Sequence, residues 1–136
     1  MKLSNGEIHN ATAPLARLME QKFPIQLSYR LAKLAAILDP QLLVIEKVRA
    51  KLIQTYGEQD PDKPQQMRVN PNSESFPKFA EEYGILMSQE VEIEVEVVDL
   101  PNTLEIEPSV LMALDRFIKA GNELTEENDA ERHTAL

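Results

Sequence analysis

Between Leu27 and Tyr56, apolar side chains fall at Leu27, Leu31, Leu34, Leu38, Leu42, Ile45, Val48, Leu52 and Tyr56. Steps of three or four put these side chains on one face of a helix. Unbroken, that helix is roughly 45 Å long at about 1.5 Å per residue. Asp39-Pro40 interrupts it, because the residue before a proline is pushed away from helical angles. Two helices, 27–38 and 41–56, are one reading. The apolar phase runs on across the proline, which favours a single kinked helix, and Gly57 then supplies a C-terminal cap. So long a stripe needs a partner. Either it is core, packed on the other helices, or it is the seam of a homodimer.

The pattern around this stretch predicts the remaining elements. Ser4-Asn5-Gly6-Glu7 reads as a capping box, with the Ser4 hydroxyl and the Glu7 carboxylate each satisfying the other's amide. A helix follows with Ile8, Ala11, Leu15, Leu18 and Met19 on one face, and Pro14 inside it predicts a kink or a fresh start. Residues 58–74 are polar, with Pro61, Pro64 and Pro71, and read as a loop and boundary candidate in which Met67-Arg68-Val69 could add a short strand. A helix begins near Ser75 with Phe76, Phe79, Ala80, Tyr83, Leu86 and Met87 on one face. The period then changes. Val91-Glu92-Ile93-Glu94-Val95-Glu96-Val97 alternates strictly, the signature of a half-buried strand. Its backbone needs a mate: Thr103–Ile106, through a turn at 99–102, is the first choice, Lys2-Leu3 or Met67–Val69 could join, and otherwise a second copy supplies the pairing. Pro108 opens a last helix with Val110, Leu111, Leu114, Phe117 and Ile118 inward, Lys119 at its C-terminus and Gly121 as cap.

The fold class these elements predict is α+β and mostly helical. It has four to five helices, a long kinked one at about 27–56, and a small antiparallel sheet around 91–107. Residues 1–121 read as one domain with a polar loop at 58–74, and 122–136 as an acidic, flexible tail.

Charge sharpens this picture. The formal net charge is −9. Residues 1–56 carry eight Lys/Arg and four Asp/Glu, a balance of +4, whereas residues 57–136 carry six and nineteen, a balance of −13. The two halves can neutralise each other or meet different partners. The chain has no cysteine, which excludes disulfides and thiolate chemistry. It shows no leader pattern and no apolar run of spanning length, so a cytoplasmic, non-membrane protein is expected.

Candidate chemistry is sparse. Glu92, Glu94 and Glu96 project from one strand face and could contact a basic partner surface or a hard cation, or simply face water. Arg30, Lys33, Lys47, Arg49 and Lys51 on the long helix could track phosphates. Stacking aromatics are nearly absent there, however, so nucleic acid is not the expected partner. His9 and His133 lack a second metal ligand at useful spacing. No phosphate-binding glycine loop and no nucleophile elbow occurs. No catalytic residue, cofactor or metal is therefore assigned.

Three stretches, MKLSNGEIHNA, KFPIQLSYRLAKLAAIL and LEIEPSVLMALDRFI, resemble a family of small, largely uncharacterised phage and prophage proteins. Members open with a Met-Lys-Leu-x-Asn-x-Glu-Ile phrase and carry a Lys-x-Pro connector before a basic helix. They run through an alternating Glu-rich strand into a closing helix. This chain departs from that pattern with Pro14 and Pro40, where ordinary helix formers are expected. The resemblance implies a phage-encoded protein of the bacterial cytoplasm and carries over no catalytic residue. The expected function is non-enzymatic protein binding, an inhibitor or modulator of a host transcription, replication or defence protein with a basic surface. The alternatives are a virion or assembly part that oligomerises through the long helix and strand edge, and a nucleotide or nucleic-acid binder using the basic half.

Overall fold

The computed structural model describes residues 1–101 and 105–120. The elements in chain order are β1 (Lys2–Ser4), α1 (Asn5–Met19), α2 (Ile25–Tyr56), β2 (Glu58–Gln59), β3 (Met67–Arg68), α3 (Phe76–Ser88), β4 (Glu90–Glu92), β5 (Val98–Leu100), α4 (Pro108–Ala113) and β6 (Ile118–Ala120). The class is mostly helical α+β, as the pattern predicts. The chain divides into two compact units, Met1–His9 with Leu38–Ile93, and Asn10–Ile37 with the chain from Glu94 onward. Both α1 and α2 contribute to each unit, and the 58–74 segment lies inside the first.

In the first unit, β1 pairs antiparallel with β4, Leu3 opposite Val91. Backbone bonds extend this ladder at both ends, Asn5 N–H to the Gln89 carbonyl and Ile93 N–H to that of Met1, each 2.9 Å. The turn from β1 into α1 is the capping box. The Ser4 amide donates to Glu7 Oε1 at 2.9 Å, and the Glu7 amide donates to Ser4 Oγ at 3.1 Å. Leu3, Ile8, Leu38 and Ile45 form the buried apolar centre. In α3 the rings of Phe76, Phe79 and Tyr83 follow one another at 6.2 and 5.7 Å between centroids, the second pair stacked. None of the α3 side chains is fully buried.

The 58–74 segment is organised. β2 pairs antiparallel with β3, Asp60 and Asn70 each accept an amide two residues on, and Ser75 Oγ donates to the Tyr56 carbonyl at 3.0 Å. Gly57 is required here by close approach. A Cβ at Gly57 would collide with the Ile53 carbonyl oxygen and stand 2.9 Å from that of Arg68.

In the second unit, Ala11, Leu15 and Leu18 of α1, Leu31 and Leu34 of α2, and Val98, Leu100, Val110, Leu114, Phe117 and Ile118 are buried. β5 and β6 pair in parallel, Val98 opposite Ile118. Parallel strands need a long crossover, and α4 lies in the chain between them.

Several expectations are corrected. The alternating stretch does not form one strand mated to 103–106. Only Glu90–Glu92 pairs, with β1, and Val98–Leu100 pairs with β6. Residues 103 and 104 lie outside the described set, and 105–106 are not in a strand. The burial phase also breaks: Val97 is exposed and Val98 buried, which ends the alternation where β5 begins. The last helix stops at Ala113, and Lys119 is in β6 rather than at a helix end. Four of its five inward residues, Val110, Leu114, Phe117 and Ile118, are buried and Leu111 is half-buried, because a turn at 114–117 hands Phe117 and Ile118 to the same core. Gly121 and the tail lie outside the described residues. Asp39-Pro40 leaves α2 continuous, the reading that the apolar phase favours, whereas the fresh start considered at Pro14 does not occur in α1.

Candidate protein-binding surface

Glu92, Glu94 and Glu96 are exposed, while Val91, Ile93 and Val95 are half-buried. The alternation thus sorts charge from apolar surface as predicted. The Glu92 carboxylate lies 3.1 Å from the Met1 ammonium. Glu94 and Glu96 form no ion pair among the described residues. No group of metal-ligating side chains gathers among the described residues.

The basic residues of α2 do not converge. At 3.6 residues per turn, Arg49 falls on the opposite side of the helix from Lys47. Arg49 is half-buried, with its guanidinium 3.6 Å from Glu46. His9 Nε2 lies 3.4 Å from the other oxygen of the same carboxylate. Glu46 therefore gathers two of the candidate residues into a structural cluster. Arg30 and Lys33 are exposed on the first half of α2, and Lys47 and Lys51 on the second. His133 lies outside the described residues.

A pocket of about 210 Å³ in the second unit is lined by Arg17, Leu18, Glu20, Gln21, Ile106, Glu107 and Val110. Arg17 Nη2 donates to Glu107 Oε1 at 2.5 Å, so two of the three charged lining residues, which include Glu20, pair with each other. No histidine or hydroxyl nucleophile lines it.

Two features escape the periodicity argument. Asn5 is 3% exposed, the buried polar residue of the described core. Its Nδ2 donates to the Leu86 carbonyl at 2.9 Å, and its Oδ1 accepts from Gln41 Nε2 at 3.1 Å. The signal available in the sequence was its place inside the capping box. The other is apolar surface on α2. Leu43 and Val44 are exposed, and so is Val48, which the stripe assigns to the buried face. Met19 and Ala80 are likewise exposed. On a helix that buries only Leu31, Leu34, Leu38 and Ile45, side chains flanking the stripe face water.

Comparison with protein families, curated proteins and solved structures finds no match. No helix among the described residues is long and apolar enough to cross a membrane.

Proposed function

We propose that this chain is a phage-encoded, non-enzymatic protein-binding factor that modulates a host protein in the bacterial cytoplasm by offering carboxylates to a basic surface. The observation that carries the reading is the exposure of Glu94 and Glu96 without an ion pair among the described residues. No cation among the described residues neutralises these carboxylates, and complementary charge raises encounter rates and fixes register. Val95 between them is half-buried, whereas both carboxylates are exposed. The net charge of −9 adds long-range attraction to a basic partner.

The test is affinity capture from host lysate with the wild-type chain and with Glu94→Gln/Glu96→Gln, at low and high salt. A host protein retained by the wild type at low salt, and lost both in the variant and at high salt, is the expected result. Retention that is equal in the variant, or no retained protein at low salt, refutes the reading.

A further inference from the structure

In the second unit, Glu94-Val95-Glu96-Val97 leads into β5 with its main chain unpaired. Among the described residues, no backbone hydrogen bond reaches an amide or carbonyl of these four. The next amide, that of Val98, donates to the Phe117 carbonyl at 2.9 Å. The side chains nevertheless suit a strand. Carboxylates alternate with β-branched valines, which favour a pleated, half-buried surface. Val95 is half-buried, and Val97 is 44% exposed. Open N–H and C=O groups along such a run are a template for pairing with a further strand.

Resting on the carboxylate reading above, we propose that residues 94–97 are a strand-addition site. The occupant is an extended segment of another protein with Lys or Arg at alternate positions and apolar residues between. The open backbone selects an extended occupant, because a strand presents its amides and carbonyls at the matching repeat. Charge selects a basic one. Side chains two apart in a paired strand share a face, so Glu94 and Glu96 meet alternate residues of the added strand. Opposite charges at facing positions stabilise such a pair, and like charges destabilise it. A second copy is therefore disfavoured. Antiparallel pairing about Val95 sets Glu94 of one copy against Glu96 of the other, and parallel pairing in register sets each glutamate against its counterpart. The chain's own alternating basic run, Lys47-Val48-Arg49-Ala50-Lys51, is held in α2, so the occupant comes from another molecule.

The probe is a short synthetic peptide alternating lysine with valine, and its counterpart alternates glutamate with valine. Two further forms of the lysine peptide are N-methylated, one at the lysine amides and the other at the valine amides. Alternate amides of a strand point to the same edge, so one form loses the bonds that face the protein and the other keeps them. Binding to the full chain is read by fluorescence anisotropy at low salt, and exchange of its backbone amides by nuclear magnetic resonance. The lysine peptide is expected to bind about tenfold or more tighter than the glutamate peptide. One methylated form should lose about tenfold or more while the other binds as the parent does. Exchange at 94–97 should slow in the complex, and Glu94→Lys/Glu96→Lys should cut the preference for lysine about tenfold or more. Both methylated forms binding like the parent, with exchange at 94–97 unmoved, overturns strand addition and leaves the carboxylate reading intact. No binding of the lysine peptide, or a preference unmoved by the double reversal, also overturns it, whereas the carboxylate reading falls only with the lysate capture. So does exchange at 94–97 that is already slow without peptide, the mark of a second copy or of the chain's own segment on this edge.

Discussion

Replacing Asn5 probes the one buried polar clamp of the first unit. Its amide nitrogen binds the carbonyl of Leu86, in the last turn of α3, and its oxygen holds Gln41 of α2. Asn5→Ala removes both bonds. Each is worth about 1 kcal/mol net, and a buried group left without a partner costs about 1–3 kcal/mol. Two relieving contacts moderate the total. The Leu86 carbonyl still accepts the Gln89 amide at 3.3 Å, and half-buried Gln41 can turn to water. The expected loss is therefore about 2 kcal/mol. With a urea slope of about 2 kcal/mol/M, the midpoint falls by about 1 M. Asn5→Asp separates hydrogen bonding from cavity formation. It keeps the acceptor for Gln41 but turns a carboxylate oxygen toward the Leu86 carbonyl. Burial beside that oxygen raises the folded pKa of the new carboxyl above its unfolded value of about 3.9. The protonated form can donate as asparagine does. The Asp variant should thus approach wild-type stability below about pH 4 and lose it as pH rises through the folded pKa. The assay is urea unfolding followed by circular dichroism, on wild type and both variants across pH. Midpoints within about 0.2 M of wild type, or an Asp variant whose deficit is the same at every pH, would refute the clamp.

Three further outcomes follow from the same packing. Gly57→Ala should destabilise by about 2 kcal/mol, because the new methyl meets two fixed carbonyls, and an unchanged thermal midpoint would contradict this. Pro40→Ala should stabilise by about 1–3 kcal/mol, since Pro40 sits exposed inside α2 and lacks the amide for its turn; a lowered urea midpoint would argue that the ring itself packs. The Tyr56 hydroxyl donates to Glu82, and this bond, with desolvation and the charges of Glu82 and Glu81, raises its pKa above 10.0. Stability from that bond is then fully present below about pH 10 and lost as pH rises through the higher folded pKa. The phenolate absorbance difference between wild type and Tyr56→Phe should titrate above pH 10, and a midpoint below it refutes the bond.

The N-terminal phrase illustrates how far sequence reading reaches. Leu3, Asn5, Glu7 and Ile8 were legible as a helix start and as the residues of a resemblance. The structure gives three of them burial and the fourth a cap, so the phrase serves packing. That Asn5 reaches Leu86 was not legible, because the contact closes a long loop and leaves no local period. The candidate surfaces were partly legible. The wet face of 91–97 follows from alternation alone. The open strip at Leu43, Val44 and Val48 does not, since periodicity identifies a stripe but not how much of its flank neighbours will cover.

By itself the sequence determined α1, α2 and α3, the capping box, and which side chains of 108–118 point inward. A helix closes its hydrogen bonds within four residues, so spacing and caps suffice to specify it. Tertiary structure decided the strands: β4 on β1, β6 beside β5, and the conversion of Ile118–Ala120 from expected helix to strand. A strand's amides and carbonyls are satisfied only by another stretch of chain. The stretch that arrives is chosen by packing of the whole core and not by any pattern the strand itself contains.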